Sequence, residues 1–153
     1  PLVEAAAKSL NQPYVTERRV GGMLTNWPEI RKRTNRSKEL TDKFAKGELE
    51  KYTKKERLLF EREMAKLQVE FGGIASLEGT PAAMVIIDPK AEHIAVAEAK
   101  KMKVETFAVL NSDCNKDEIT HPILANDSAR ESVKYFLEAL KESYQEGVKA
   151  RGV

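Results

Sequence analysis

The hydrophobic pattern divides the chain into two kinds of segment. Over residues 26–73, apolar side chains recur three or four positions apart, which predicts amphipathic helices. After residue 79 they form short unbroken runs at 83–87 and 106–110, typical of strands buried on both faces. The amphipathic segment 90–102 between these runs predicts a right-handed parallel strand–helix–strand crossover.

The first long helix is predicted from Asn26 to about residue 46, directly after a glycine pair at 21–22. Asn26 and Glu29 have the spacing of an N-terminal cap, in which Asn26 accepts a hydrogen bond from a free amide and Glu29 reaches back. Pro28 suits the first helical turn, where its missing N–H is tolerated. This segment is therefore predicted to end one structural unit and start another.

A second helix is predicted to begin after Thr53, whose spacing to Glu56 matches a capping box, and to end at the glycine pair 72–73. Its apolar residues recur at the spacing of a coiled-coil seam, namely Phe60, Met64, Leu67 and Phe71. With a short loop around Gly47, the two helices predict an antiparallel coiled-coil hairpin over residues 26–73. Residues 1–25 and 74–153 are predicted to form an α/β body into which this hairpin is inserted.

The ends of the chain predict further elements of that body. Residues 2–10 predict a helix, residues 14–15 a short strand and residues 122–124 an extended segment. A last helix is predicted to start near residues 126–128 with a capping box from Ser128 to Glu131, and to stop at Gly147. Its predicted inner face comprises Ala129, Val133, Phe136, Leu137, Leu140 and Tyr144.

Composition limits the classes of protein. The 153 residues are enough for about one domain with a buried core. No apolar run approaches the ~20 residues that cross a bilayer, and no signal-peptide pattern is present, so we expect no membrane partner. The single cysteine, Cys114, excludes an internal disulfide and favours a reducing compartment.

The charge distribution is more informative than the net charge of +2. Residues 16–43 contain eight basic and four acidic residues, a local excess of four positive charges. The basic residues cover more of the first long helix than one face, which predicts phosphate contacts with a folded RNA. Trp27 is available for base stacking, with packing between body and hairpin as an equal alternative. The candidate RNA-binding residues are Arg18, Arg19, Asn26, Trp27, Arg31, Lys32, Arg33 and Arg36.

Polar residues after the two apolar strands form an alternative, enzyme-like site. Ligands of open parallel sheets bind beyond the carboxyl ends of the strands, although Asp, Asn and Ser also commonly end strands. A flavodoxin-like nucleotide- or cofactor-binding enzyme domain would use the residues at these positions. They are Asp88, Asn111, Ser112, Asp113 and Cys114.

Other chemical signatures are weak. The phosphate-binding motifs GxGxxG and GxxxxGK[ST] are absent. His93 and His121 have no second ligand at metal-binding spacing, so neither a cofactor nor a metal is predicted. A nucleophile pair of Cys114 and His121 is the remaining catalytic option.

Several segments together resemble the bacterial and organellar ribosomal protein S2 family, the second protein of the small ribosomal subunit. The most specific segment is Gly-Gly-Met-Leu-Thr-Asn-Trp at 21–27. The others follow in family order, at 14–20, 53–56, 71–74, 86–90, 94–99 and 122–127. The sequence departs from the family pattern at Arg19, where the family usually has tryptophan, and at residues 111–113 and 124–125.

The resemblance implies a flavodoxin-like (Rossmann-like) parallel sheet with an inserted coiled-coil hairpin, and no catalysis. It implies that the partners are small-subunit ribosomal RNA and neighbouring ribosomal proteins, including the large RNA-binding protein S-one. It places the chain in the ribosome, either in the bacterial cytoplasm or in an organelle. A protein-interaction module with the hairpin as docking arm is a third hypothesis.

About three strands are too few for a self-sufficient parallel sheet covered on both faces. We therefore expect a fragment, or one half of a split protein whose other half is a separate chain.

Overall fold

Three parallel strands form one sheet in a computed structural model that describes residues 1–17 and 21–152. The strands are β1 (Ala83–Ile87), β2 (Glu105–Leu110) and β3 (His121–Leu124), in the order β1-β2-β3. Val85 is in register with Phe107, which in turn is in register with His121. The predicted α/β class with a parallel sheet is confirmed.

Helices surround the sheet and form the hairpin. They are α1 (Leu2–Ser9), α2 (Trp27–Ala45), α3 (Lys54–Phe71), α4 (His93–Met102) and α5 (Arg130–Ala150), with short 3₁₀ turns at Glu48–Lys51, Gly72–Ile74 and Lys116–Glu118. α2 and α3 pack against each other as an antiparallel pair, because only residues 46–53 connect them. α1 packs against α5. Among the described residues, no helix combines the length and the apolar character that crossing a bilayer requires.

Apolar side chains collect in separate clusters. The first cluster joins α2, α3 and the turn after α3, through Ile30, Leu40, Leu67, Phe71 and Ile74. Phe60 and Met64 pack against this cluster, so all four predicted seam residues of α3 face inward. A second cluster lies between the sheet and α4 and contains Ile86, Ala95, Val96, Ala108 and Leu110.

The prediction that both apolar strands are buried on both faces is wrong for β1. β2 is buried along most of its length, and Ala108 and Val109 are fully buried. In β1 only Ile86 is buried, on the face that α4 covers, whereas Val85 is 50% exposed. β1 lies at an edge of the described sheet, and the helices of the described chain leave the Val85 side open.

Two other predicted elements differ from the structure. Residues 14–15 are not a strand; instead, the Tyr14 amide donates a hydrogen bond of 2.9 Å to the carbonyl oxygen of Gly73. Gly147 does not end the last helix, because α5 continues to Ala150. Of the predicted inner face of α5, only Leu137 is buried, whereas Val133, Phe136 and Leu140 are partly buried.

The starts of the helices show which local sequence patterns correctly predict a capping hydrogen bond. At α3 the Thr53–Glu56 box is present: the Glu56 amide donates to Thr53 Oγ1 (3.3 Å) and the Thr53 amide donates to Glu56 Oε2 (2.9 Å). The predicted box at Ser128 is wrong, since Asn126 Oδ1 accepts from the Ser128 and Ala129 amides instead.

The cap predicted for α2 is also wrong, although Pro28 does lie in the first turn. The Asn26 side chain makes no capping hydrogen bond, and its amide donates to the carbonyl oxygen of Gly22 at 2.8 Å. Glu29 accepts from Lys32 instead of reaching back. The physical reason lies in the first turn of α2: the Glu29 amide donates to the main-chain carbonyl oxygen of Asn26 at 3.2 Å, and Pro28 has no amide hydrogen to offer.

Candidate nucleic-acid interface

The turn at residues 21–26, which leads into α2, is fixed by a buried carboxylate. Glu98 of α4 is only 8% exposed and accepts hydrogen bonds from the amides of Gly22, Leu24 (2.8 Å) and Thr25 (3.3 Å). The partners are main-chain groups, so no side-chain motif around residue 22 reveals them. The consequence is that the start of α2 is held in a defined position on α4.

Consecutive residues of this turn enter different apolar clusters. Met23 packs in the cluster of the hairpin, whereas Leu24 packs with Ala99 and Val104 beside α4. Both side chains are nearly inaccessible to solvent. The turn therefore connects the apolar cluster of α2 and α3 with the packing around α4.

The predicted cationic residues on α2 do not all remain available. Arg31, Lys32 and Arg33 are exposed, whereas Arg36 is partly buried. The Arg36 guanidinium donates to Glu63 of α3 at 3.1 Å and to Glu39 at 3.4 Å. The hydrogen bonds to Glu63 raise the pKa of Arg36 above its ordinary value. Arg36 therefore links the two helices of the hairpin.

Two lysines of α2 are also ion-paired on its surface. Lys32 Nζ lies 3.2 Å from Glu29 Oε2, and Lys43 pairs with Glu39. The hydrogen bond to Glu39 raises the pKa of Lys43 and keeps it protonated. These acidic neighbours neutralise much of the charge on that side of α2.

Three cations on α2 remain without a partner among the described residues: Arg31, Arg33 and Lys38. All three side chains are exposed. Arg31 and Lys38 are seven positions apart, so they lie on one face of the helix at a separation of about 10 Å along its axis. Lys38 was not among the predicted interface residues, although its spacing to Arg31 was visible in the sequence.

The remaining predicted interface residues occupy different environments. Trp27 is half-buried and packs against the apolar cluster of the hairpin, and its indole Nε1 is buried with no hydrogen-bond partner among the described residues. Asn26 is exposed at the end of the turn. Arg18 and Arg19 lie outside the described residues. The RNA-binding roles assigned to these residues stay predictions.

The alternative site at the strand ends is largely occupied by its own hydrogen bonds. Asp88 has a positive φ of 56° and accepts from the Ala91 amide at 3.0 Å. Lys90 Nζ lies 2.7 Å from Asp113, and this hydrogen bond lowers the pKa of the Asp113 carboxyl. Beyond the strand ends, an open cleft of about 730 Å³ includes Asn111 and Ser112 in its lining.

A buried carboxylate holds the loop after β2. Asp127, which is 6% exposed, accepts from the Asn111 amide at 3.3 Å and from Asn111 Nδ2 at 2.9 Å. It also accepts from the Ser128 hydroxyl. One ligand atom from each of Asp88, Cys114 and Asp127 lies within 4.8 Å of the others, the spacing that a metal ion would need. The hydrogen bonds of Asp127 already explain its burial.

Cys114 and His121 have separate partners. Burial raises the pKa of the Cys114 thiol above its ordinary value, which disfavours the nucleophilic thiolate. His121 Nε2 lies 2.7 Å from Glu105 Oε2, and the His121 ring stacks on the Phe107 ring with 4.4 Å between the ring centroids. These contacts give each residue a structural role.

A parallel three-stranded sheet and an antiparallel pair of helices with exposed cations on α2 define an α/β protein with a candidate nucleic-acid interface. Comparison with known proteins narrows this class: the family model "Ribosomal protein S2" matches residues 1–147. The chain belongs to the ribosomal protein S2 family, and its sheet is consistent with the flavodoxin-like fold expected from the resemblance.

Curated relatives agree with this assignment. The chain is 42% identical over 146 residues to "Small ribosomal subunit protein uS2" of Arthrobacter sp. (strain FB24), covering 95% of this chain and 50% of that relative. It is 41% identical over 151 residues to the protein of the same name from Micrococcus luteus, covering 98% of this chain and 53% of the relative. The chain thus spans about half the length of the curated relatives it matches.

Proposed function

We propose that this chain is part of a structural, non-enzymatic constituent of the small ribosomal subunit and that it binds ribosomal RNA through α2. Membership of the ribosomal protein S2 family supports the assignment to the small subunit. The observation that carries the RNA-binding proposal is the unpaired set of cations on α2, Arg31, Arg33 and Lys38. Unpaired, exposed cations neutralise phosphates and release the counter-ions condensed on the nucleic acid, whereas ion-paired cations must first give up their acidic partners.

The proposed location and partners follow from the same family. Because the relatives compared are bacterial proteins of the small subunit, we place the chain in the ribosome of the bacterial cytoplasm, with an organellar ribosome as the other option. Neighbouring ribosomal proteins are proposed partners, and the resemblance extends this proposal to the S-one protein. We also propose that a separate chain supplies the remaining part of the family's fold.

The enzyme alternative receives no support from the comparisons, which identify a ribosomal protein family. The polar groups at the strand ends are engaged in loop hydrogen bonds, which is the structural role expected of such residues. A thermal-shift screen with nucleotides and flavins is the direct test. A ligand-dependent increase in melting temperature would restore the enzyme hypothesis.

The proposed function is tested by co-sedimentation with small ribosomal subunits after a high-salt wash. We expect the chain to remain bound, because contacts to RNA and to neighbouring proteins act together and raise the effective concentration of each. A chain that is released completely at a salt concentration that retains other ribosomal proteins would contradict the assignment.

The role of α2 is tested by single alanine variants. Arg31→Ala and Arg33→Ala are each expected to weaken RNA binding and to reduce the slope of log affinity against log salt by about one. Lys32→Ala is expected to have a smaller effect, because Lys32 is paired with Glu29. Binding is measured by filter retention at several salt concentrations.

Arg130→Ala is the matched control, since Arg130 is exposed at the start of α5 and not on the hairpin. Its affinity and salt slope should equal those of the unmodified chain. Unchanged slopes in both the Arg31 and Arg33 variants would remove α2 from the proposed interface.

A further inference from the structure

A small pocket lies between α2 and the end of α3. Its volume is about 200 Å³, below the roughly 300–1,000 Å³ of sites that hold drug-sized ligands. Five of its lining residues lie on one stripe of α2, because helix positions three or four apart share a face. The lining consists of Thr34, Ser37, Lys38, Thr41, Asp42, Gln68, Phe71 and Ala75. We call this cavity the Ser37 pocket.

Ser37 is the residue that points to a ligand. It is 7% exposed, yet no hydrogen bond joins its hydroxyl to any described residue. The neighbouring hydroxyls are satisfied. Thr34 Oγ1 donates to the carbonyl oxygen of Arg31 at 3.0 Å. Thr41 Oγ1 donates to the carbonyl oxygen of Ser37 at 2.9 Å. Because burial of a hydroxyl without a partner costs free energy, a polar ligand in the pocket would stabilise this arrangement.

Three exposed side chains of the pocket are also free. Lys38, Asp42 and Gln68 make no side-chain ion pair or hydrogen bond within the described ranges of the chain. They offer a cation, a carboxylate that only accepts, and an amide that both donates and accepts. Phe71, which is 1% exposed, closes the pocket towards the apolar cluster of the hairpin. The pocket thus combines an apolar end with polar groups at its opening.

We infer that the Ser37 pocket binds one unpaired base of the ribosomal RNA and that this base carries an exocyclic amino group. The inference rests on the proposed function, because it adds a base contact to the helix that is proposed to bind phosphates. Loops and bulges of RNA expose unstacked bases, which proteins recognise through hydrogen bonds to the base edges. A base that is already unpaired costs least to extrude.

The polar groups of the pocket match the edge of such a base. Asp42 accepts from an exocyclic amino group, as acidic side chains do from cytosine N4, and Gln68 matches the N6 and N7 atoms of adenine. The free hydroxyl of Ser37 bonds to a remaining polar atom of the ring. Uracil has carbonyl oxygens in place of the amino group, so the Asp42 carboxylate disfavours it.

The cations of α2 hold the RNA backbone on either side of this base. Lys38 lines the pocket, and Arg31 lies about two helical turns before it on the same face. Phosphate contacts position the RNA without reading its sequence, whereas a base contact supplies sequence preference. One face of α2 thus carries both kinds of contact.

RNA fits the pocket better than the basic side chain of a protein, which is the other group that Asp42 attracts. Lys38 lies one turn before Asp42 on the same stripe and repels an incoming lysine or arginine. The same lysine attracts the phosphate that every nucleotide brings with it.

The test is chemical probing of the RNA in small subunits that contain the chain. Dimethyl sulfate modifies unpaired adenine and cytosine, kethoxal modifies guanine and carbodiimide modifies uracil, so all four bases are covered. We expect one unpaired adenine, cytosine or guanine to be protected when the chain is present.

Two pocket variants are expected to abolish this protection. Ser37→Leu fills the pocket with a larger side chain, and Asp42→Ala removes the acceptor. Each should raise modification of the protected base by about fivefold, the factor expected for the loss of one base contact. Because Asp42 is exposed, Asp42→Ala decides the outcome if Ser37→Leu does not fold.

Asp42→Ala also separates a base-binding pocket from a merely basic surface. Removal of a negative charge strengthens the attraction between α2 and phosphate, so a surface that binds by charge alone would bind RNA more tightly. The base-binding pocket predicts weaker binding by filter retention. Asp117→Ala is the matched control: it removes the same charge from an exposed turn outside the pocket, and the protected base should stay protected.

The results also distinguish failure of this inference from failure of the proposed function. In subunits that retain the chain, protection of a uracil, protection of no base, or protection that persists in both pocket variants would overturn this inference alone. Tighter RNA binding by Asp42→Ala would do the same. Failure of the unmodified chain to co-sediment with subunits would overturn the proposed function and this inference together.

Discussion

At the scale of single residues, Gly73 has no room for a side chain. A Cβ atom added there would lie 2.2 Å from the carbonyl oxygen of Tyr14 and 3.0 Å from two of its ring carbons. The same two residues are joined by the hydrogen bond from the Tyr14 amide to the Gly73 carbonyl oxygen. The close approach of two backbone segments is therefore possible only without a side chain.

Gly73→Ala is expected to lower the free energy of unfolding by about 1–3 kcal/mol, because the backbone must move to relieve the clash. Urea unfolding followed by circular dichroism measures the change. Gly147→Ala is the control: nothing lies within 4 Å of its added Cβ, and its helical position favours alanine by about 0.5–1 kcal/mol. Equal stability of the Gly73 variant and the unmodified chain would contradict the close contact.

Glu98 illustrates what could not be predicted from the sequence at this scale. It follows two buried residues of α4, Ala95 and Val96, but a glutamate in a mostly apolar helix normally faces solvent. Its partners are main-chain amides 73 to 76 residues earlier in the chain. Amides are present at every non-proline position, so sequence alone does not distinguish these three.

At the scale of elements, the capping box of α3 makes the start of this helix sensitive to acid. Hydrogen bonds from the Thr53 amide and hydroxyl lower the pKa of Glu56 below its ordinary value of 4.5. Because the folded-state pKa is lowered, the stabilisation is present above the unfolded-state value and is lost as pH falls through the folded-state value.

We expect the first turn of α3 to lose order as the pH is lowered below 4.5, while the chain remains folded. Chemical shifts of the Thr53 and Glu56 amides report this change. Glu56→Gln preserves an acceptor at the same position but does not titrate, so its amide shifts should not follow this transition. A pH dependence identical in both proteins would rule out Glu56 as the titrating group.

The helices and strands differ in how many of their features could be predicted from the sequence. The Thr53 box was predictable because both of its members lie within four residues. Asn26 and Glu29 have the same local spacing but form no cap, because the Glu29 amide donates to the main-chain carbonyl oxygen of Asn26 instead. The strand β1 was predicted with its bounds, but not its open face, because an apolar run does not say how many layers cover it. The continuation of α5 through Gly147 shows that glycine disfavours a helix interior without forbidding it.

At the scale of the molecule, the hairpin and the sheet have separate apolar clusters that meet at Met23 and Leu24. Met23 belongs to the cluster of α2 and α3, and Leu24 to the packing of α4. Two neighbouring residues of similar size therefore stabilise different parts of the fold.

Met23→Ala should reduce amide protection mainly in α2 and α3, and Leu24→Ala should reduce it mainly in α4 and β1. The expected loss is about 2–5 kcal/mol for either truncation of a buried side chain. Native-state hydrogen exchange measures protection in both regions within one experiment. Equal loss throughout the molecule in both variants would show that the two clusters unfold as one unit.

The candidate interface was predictable as a basic segment but not as a set of free charges. The sequence placed Arg31 and Arg33 on α2 correctly, since helical spacing determines their positions. It did not show that Glu63, 27 residues after Arg36, binds that guanidinium. Whether two charged side chains pair across a hairpin depends on how its two helices are aligned along their axes. The spacing of the apolar seam residues determines this alignment only approximately.

The hydrogen bonds from the turn to Glu98 also have a consequence for the order of events during synthesis. The turn at residues 22–25 and both helices of the hairpin are synthesised before residue 98, whose carboxylate holds the turn. At about 5–20 residues per second, the delay between the turn and its carboxylate is about 4–15 seconds. The hairpin sequence ends at Phe71, so it is complete for about 1–5 seconds before residue 98 is added, and α4 fixes the direction of the hairpin last.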